Sequence, residues 1–243
     1  MTDDTPPPRD AEPAPTPSAG ARRRRPAALA TRRRVIAALT VLPLLRVTGA
    51  AGQPQDADPA AARIRAFYDV LQETMRQADR LGIGGRYDKL SPAIRATFDL
   101  PAMTRIAVGP AWTTLPAAEQ SALLARFARM TIATYANRFD GYSGETFVVE
   151  PTVDVRATGR IVRTRLVPAK GEPIVLNYSM RGAGADWRVV DVYLSGTISE
   201  LATRRAEFGA ILAAGGAPAL IRTLDAQAEQ LLGTAAAARP ATP

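Results

Sequence analysis

The sequence predicts an α+β domain in which a curved four-stranded antiparallel sheet packs against helices. Three observations carry this. Apolar residues recur at helical spacing between 58 and 139, alternate at two-residue spacing between 147 and 194, and return to helical spacing from 199 to 232. Strands gathered in one stretch with short turns between them form a meander rather than a series of parallel crossovers.

The first helix opens at Asp58–Pro59, a side-chain cap and a first-turn proline, and carries Ile64, Phe67, Tyr68, Leu71, Met75 and Ala78 on one stripe. Gly82, Gly84 and Gly85 are expected to end it in a loop. Shorter helices are expected near Tyr87–Leu90, from Pro92 and from Pro101, the last two with proline in the first turn. A long helix then runs from about Pro116 to Phe139. Leu123, Phe127 and Met130 form one stripe of it and Leu124, Thr131, Tyr135 and Phe139 another, so this helix is expected to touch two layers.

The strands follow. Phe147, Val149, Val153 and Val155 alternate with Glu150, Asp154 and Arg156; Val162, Thr164 and Leu166 with Arg163 and Arg165; Ile174, Leu176, Tyr178 and Met180 with Asn177, Ser179 and Arg181. Trp187 to Leu194 is the fourth, and turns fall at Thr158-Gly159, Lys170-Gly171 and Gly182 to Gly184. The last strand runs through Gly196 into two closing helices, one carrying Leu201, Phe208, Ile211 and Leu212, the other Leu220, Ile221, Leu224, Ala228 and Leu231.

With neither histidine nor cysteine, the chain has no imidazole base, thiolate nucleophile, Cys/His zinc site or disulfide. An enzyme here would work with carboxylates, Ser, Tyr, Lys or a bound cofactor. No cofactor, metal ion or catalytic set is expected, and the apolar surplus points to binding. The glycines at 82–85 and 182–184 lack the phosphate-loop lysine and its strand-to-helix setting.

The N-terminal region has the parts of an export signal over residues 22–51. Arg22 to Arg25 and Arg32 to Arg34 precede the apolar run Val35 to Leu45, and Thr48-Gly49-Ala50-Ala51 supplies small residues for cleavage. Thr31-Arg32-Arg33-Arg34-Val35-Ile36 approximates a twin-arginine signal. Pro43 and Arg46 leave the run short of the roughly 20 residues a membrane span requires. The chain therefore divides into a disordered basic N-terminus with export signal (1–51), a folded domain (52–233) and a disordered tail (234–243), and the expected location is the periplasm. Of the chain's 31 Lys and Arg and 23 Asp and Glu, residues 1–51 hold 9 and 4, leaving 22 and 19 and a net of +3. Most of the whole-chain charge of +8 is thus leader, and no nucleic-acid partner is expected.

Four ordered segments, Phe98-Asp99-Leu100-Pro101, Ala107-Val108-Gly109-Pro110-Ala111-Trp112, Tyr135 to Tyr142 and Trp187 to Ser199, resemble the toluene-tolerance family of Mla-type (MlaC-like) periplasmic lipid-binding proteins. Arg86-Tyr87-Asp88-Lys89-Leu90, Pro101-Ala102-Met103-Thr104-Arg105 and Gly196-Thr197-Ile198-Ser199-Glu200-Leu201 look closest to its hopanoid-associated, HpnM-type branch. The resemblance spans about Ile64 to Leu232. It implies an NTF2/cystatin-like cone with a helical subdomain and an apolar cavity between sheet and helices. It also implies a monomeric carrier of phospholipid or hopanoid, with an inner-membrane ABC/MCE-type lipid transporter and an outer-membrane acceptor complex as partners.

Candidate lipid-binding residues are Leu100, Met103, Ile106, Val108, Trp112 and Tyr135, together with Phe139, Tyr142, Leu194, Ile198, Phe208 and Ile211. Each also suits an ordinary filled core. Tyr135, Phe139 and Tyr142 are expected at the cavity mouth, where aromatic bodies with polar tips suit a boundary between tail and headgroup. Asp191 interrupts an apolar strand and has two readings: the general base of a small NTF2-like enzyme, or a carboxylate satisfied by backbone amides or an arginine. Arg163, Arg165, Arg181 and Arg188 are expected on the polar sides of the strands, balanced by Glu150, Asp154 and Asp186 or docking an anionic headgroup or acidic subunit. Besides a lipid carrier, a small carboxylate enzyme and a structural partner of a membrane complex remain open at this level.

Overall fold

The computed structural model describes residues 58–237, with side chains to 233. The leader, the twin-arginine segment and residues 238–243 lie outside the described residues. The order is α1 (Pro59–Arg76), α2 (Ala78–Thr97), α3 (Leu100–Val108), a 3-10 turn (Gly109–Thr114), α4 (Ala117–Arg138), β1 (Thr146–Arg156), β2 (Gly159–Val167), β3 (Ile174–Arg181), β4 (Arg188–Leu194), β5 (Ile198–Ser199) and α5 (Glu200–Ala237).

The strands form an antiparallel meander, β1-β2-β3-β4-β5, with helices packed against it. The expected α+β class holds, but the sheet has five strands and not four. Ile198–Ser199 is too short to show alternation, and it reads in sequence as the entry to a helix. It pairs back on β4 because Ser195 and Gly196 both take positive φ (51° and 80°) while the Thr197 amide donates to the Leu194 carbonyl at 3.2 Å, a tight reversal suited to a hairpin. β1 shifts register between Val149 and Val153, and beyond the shift Val155 is exposed, so the alternation expected there breaks.

Helix starts follow their capping chemistry. Asp58 Oδ1 accepts from the Ala60 amide at 2.9 Å, and Asp99 Oδ1 from the Ala102 amide at 2.9 Å, each ahead of a first-turn proline or its neighbour. The glycines at 82–85 do not form the expected loop. α1 ends at Arg76, and the chain continues as α2 with one non-helical residue, Gly82, at φ 62° and ψ −176°. That backbone state is open essentially to glycine alone, so a single residue kinks the rod and the helix resumes through Gly84 and Gly85. The separate helices expected at Tyr87 and Pro92 are this one element; Pro92 sits inside it on an exposed face, where water can reach the backbone carbonyl it leaves unpaired. The two closing helices are likewise the halves of α5, kinked at Gly216. Its backbone runs to Ala237, past the domain end expected at 233.

The core joins α1, α2, α4 and the inner sheet face. Phe67, Phe98, Phe127, Tyr178 and Phe208 are each at most 2% exposed. Arg86, in the middle of α2, is buried as well: its Nε donates to the Ala136 carbonyl at 2.8 Å and Nη1 to the Ala78 carbonyl at 3.2 Å. It thereby satisfies a last-turn carbonyl of α4 and sews the kinked α2 to it. Burial pushes its pKa down, offset by the charges of Asp140 and Asp79. The start of α1 is fixed to the sheet by an Arg160–Asp58 ion pair, with the same guanidinium 4.5 Å above the Trp187 ring.

Candidate functional site

Sheet and helices leave a pocket of about 90 Å³ between them. Leu176 and Tyr178 of β3 and Val192 and Leu194 of β4 form its sheet wall. The register pairs Tyr178 with Val192 and Leu176 with Leu194, so the two-residue period sets all four on one face. Opposite stand Phe98, Met103 of α3, the α4 stripe Phe127, Thr131, Thr134, Tyr135 and Arg138 with Phe139 just beyond it, and Glu200, Leu201 and Arg204 from the first turns of α5. Phe98 is held at the sheet by the Asp99 amide, which donates to the Val189 carbonyl at 2.9 Å.

One side of the pocket is an aromatic cluster. Phe67, Phe98 and Tyr135 meet edge to face at 5.3–5.6 Å, and Phe98 also meets Tyr178 at 6.4 Å. Tyr135 stacks on Phe139 at 5.8 Å, and Tyr68 stacks on Phe147 at 4.4 Å. The polar tips of the cluster are satisfied internally. Thr164 Oγ1 donates to the Leu176 carbonyl at 2.5 Å, and the Tyr68 hydroxyl is hydrogen-bonded to Thr164 Oγ1 at 2.6 Å and to the Tyr178 hydroxyl at 3.1 Å. Burial pushes the Tyr68 pKa up to about 12 and raises those of Tyr135 and Tyr178 as well. All three are therefore neutral at physiological pH and add no charge to the site.

The raised values set an alkaline limit on stability. Below pH 10 Tyr68 is neutral folded and unfolded; above it the unfolded chain releases the proton first, so stability falls with pH by up to about 1.4 kcal/mol per unit until the folded group ionises near 12. In urea titrations between pH 9 and 12, Tyr68→Phe is expected to fall less steeply than the parent. Equal slopes would remove Tyr68 from the alkaline transition.

Of the twelve candidate residues, Met103, Tyr135, Phe139 and Leu194 line the pocket. Phe208 stands behind its wall, edge-on to Phe127 at 6.3 Å. Leu100 and Val108 are buried in the core, and Ile106, Trp112 and Ile211 pack half-buried against it. Tyr142 and Ile198 are 39% and 56% exposed and outside the pocket; Tyr142 has the Arg76 guanidinium 5.2 Å above its ring. Pocket residues that the sequence reading did not select include Thr131, Thr134, Arg138, Tyr178, Glu200 and Arg204. The available signal was spacing: 127, 131, 134 and 138 fall on one face of a single helix.

Asp191 follows its structural reading. Its Oδ1 accepts from the Val192 and Leu201 amides at 2.8 and 3.2 Å, and its Oδ2 from the Ser199 hydroxyl at 2.6 Å. Ser199 Oγ in turn accepts from the Ala202 amide at 2.9 Å and caps α5. The carboxylate thus locks β4, β5 and the α5 start, with both oxygens engaged. Asp191→Ala is expected to cost about 2–3 kcal/mol in urea unfolding, since it leaves two amides and a hydroxyl without an acceptor; a change under about 0.5 kcal/mol would contradict this. Of the four strand arginines, Arg163 pairs with Asp154 at 2.6 Å and Arg165 with Glu150 at 2.9 Å, as a balanced solvated face requires. Arg188 donates to the Arg95 carbonyl at 3.2 Å, and Arg181 is exposed.

Among the described residues, no helix is long and apolar enough to cross a membrane. The fold is similar to that of a phospholipid-binding protein from Ralstonia solanacearum, solved in complex with a phospholipid: TM-score 0.63, 24% identity, 71% of this chain and 98% of that one. No curated protein matches the chain. The model of the MlaC protein family matches residues 65–226, about two thirds of the sequence, and the chain belongs to that family.

Proposed function

We propose that this protein is a periplasmic lipid carrier that holds phospholipid acyl tails between the sheet and helices α3–α5 and passes its cargo between an inner-membrane ABC-type transporter and an outer-membrane acceptor. The observation that carries this reading is the pocket itself: an aromatic and aliphatic wall whose tyrosines are neutral and internally hydrogen-bonded, charged only where Arg138, Glu200 and Arg204 contribute. Membership in the MlaC family and the phospholipid held by the similarly folded Ralstonia solanacearum protein support it. The leader, read as an export signal, supports the compartment. Hopanoid cargo, suggested by the narrower branch resemblance, is the alternative ligand within the same reading.

The physical demand on such a carrier is large. Each methylene taken from water is worth about 0.8 kcal/mol, so two long tails represent roughly 20 kcal/mol or more, and escape through water is slow. A pocket of about 90 Å³ is smaller than the roughly 300–1,000 Å³ of ordinary ligand sites, so loading requires α3 and α5 to move away from the sheet. The kink at Gly216 divides α5 and gives its first half a point about which to swing.

Organic extraction and mass spectrometry of protein exported and purified from its native periplasm tests the reading. About one phospholipid per chain is expected. A folded chain carrying no lipid, and taking none from vesicles, would sink it.

A further inference from the structure

The pocket's polarity is graded in a way that tail binding alone does not require. Along α4 the pocket-facing stripe passes from Phe127 through Thr131 and Thr134 to Arg138, apolar to hydroxyl to guanidinium over one helix face. α5 repeats the order in the other sequence direction, from Phe208 behind the wall through Arg204 to Glu200. Phe127 meets Phe208 at one end; at the other, Arg138 and Glu200 both act on the Tyr135 hydroxyl. The charges at this end are not spent on each other: among the described residues, neither Arg138 nor Arg204 has a carboxylate within ion-pair distance, although Glu200 lies one helical turn before Arg204. By contrast Arg126, Arg129, Arg160, Arg163 and Arg165 each have one.

We infer that Arg138 and Arg204 hold the phosphodiester of the lipid whose tails fill the pocket, and that this chain selects phospholipids over uncharged lipids of similar apolar bulk. The inference rests on the carrier reading above and decides between its two cargo classes. Two guanidiniums and one carboxylate sum to +1, which matches the single negative charge of a phosphodiester. Guanidinium donors suit phosphate oxygens in paired geometry, and the α5 N-terminus adds a favourable dipole. A triterpenoid alcohol offers these groups one neutral hydroxyl and no charge, a weaker and unpaired contact than a phosphodiester provides.

The test is competition, read by native mass spectrometry, between phosphatidylglycerol, diacylglycerol with the same tails, and an uncharged triterpenoid alcohol. The parent is expected to prefer phosphatidylglycerol by about tenfold or more. In Arg138→Gln/Arg204→Gln that preference is expected to collapse, with diacylglycerol binding unchanged. Should the double variant not fold, Arg138→Gln alone, at an exposed position, is expected to lower the preference by about threefold. A preference that survives the substitutions, or a parent without one, overturns the assignment. So does equal loss of all three lipids, which would make the arginines supports of the pocket wall. A saturable calorimetric response to inorganic phosphate alone, abolished in the double variant, would mark a free-phosphate site and overturn the lipid assignment. A parent that takes up no lipid of any kind refutes the carrier reading itself, and this inference with it.

Discussion

Replacing Thr131 with tryptophan is expected to reduce phospholipid occupancy at least tenfold while leaving the fold intact. Thr131 is half-buried on α4 and faces the pocket. An indole at that position projects into the pocket between α4 and the sheet wall of β3 and β4 and occupies space that a tail would need. Ala125→Trp, at an exposed position of the same helix, supplies the matched control. Occupancy is read by phosphorus assay of the purified protein and stability by thermal unfolding. Normal occupancy in Thr131→Trp would place the tails elsewhere.

The largest expected loss of stability comes from Arg86→Ala. Removing the guanidinium orphans the Ala136 and Ala78 carbonyls in a buried setting and deletes the packing of its stem, together about 2–4 kcal/mol. For a domain of this size that lowers the melting temperature by roughly 10 °C. Because Arg86 secures the turn of α4 that ends at Arg138, a loss of lipid retention should accompany it. A melting temperature within about 2 °C of the parent would contradict the bracing role.

Periodicity made the class and most element bounds legible. The Asp58 cap was equally legible, and its side chain engages the amide that an N-cap should; Asp99 caps α3 in the same way, although only the first-turn proline pointed to that helix. Where structure and sequence expectation differ, packing overrides local chemistry. Glycine and proline are read from sequence as breakers, yet Gly84, Gly85 and Pro92 lie in α2, which packs on α1 and α4. Two-residue β5 carries no period, so its pairing became visible only in three dimensions. For the pocket the limit was different. Met103, Tyr135, Phe139 and Leu194 were selected for their apolar or aromatic character, and so were Leu100 and Val108, which are plain core. Core and cavity use the same residues. The polar members Thr131, Thr134 and Arg138 were missed because a hydroxyl or guanidinium on a helix is ordinarily a solvent-facing group. Asp191 was resolvable in kind but not in detail, since its partners Ser199 and Leu201 are distant enough in sequence that no motif joins them.

The central claim, that lipid tails enter between the sheet and helices α3–α5, is tested most directly by methyl NMR with a phospholipid carrying a nitroxide at the end of one tail. The account predicts strong paramagnetic broadening of the Met103, Leu194 and Leu201 methyls, with Val155, at the exposed far end of β1, much less affected. Broadening strongest at Val155, with the pocket methyls sharp, would contradict it.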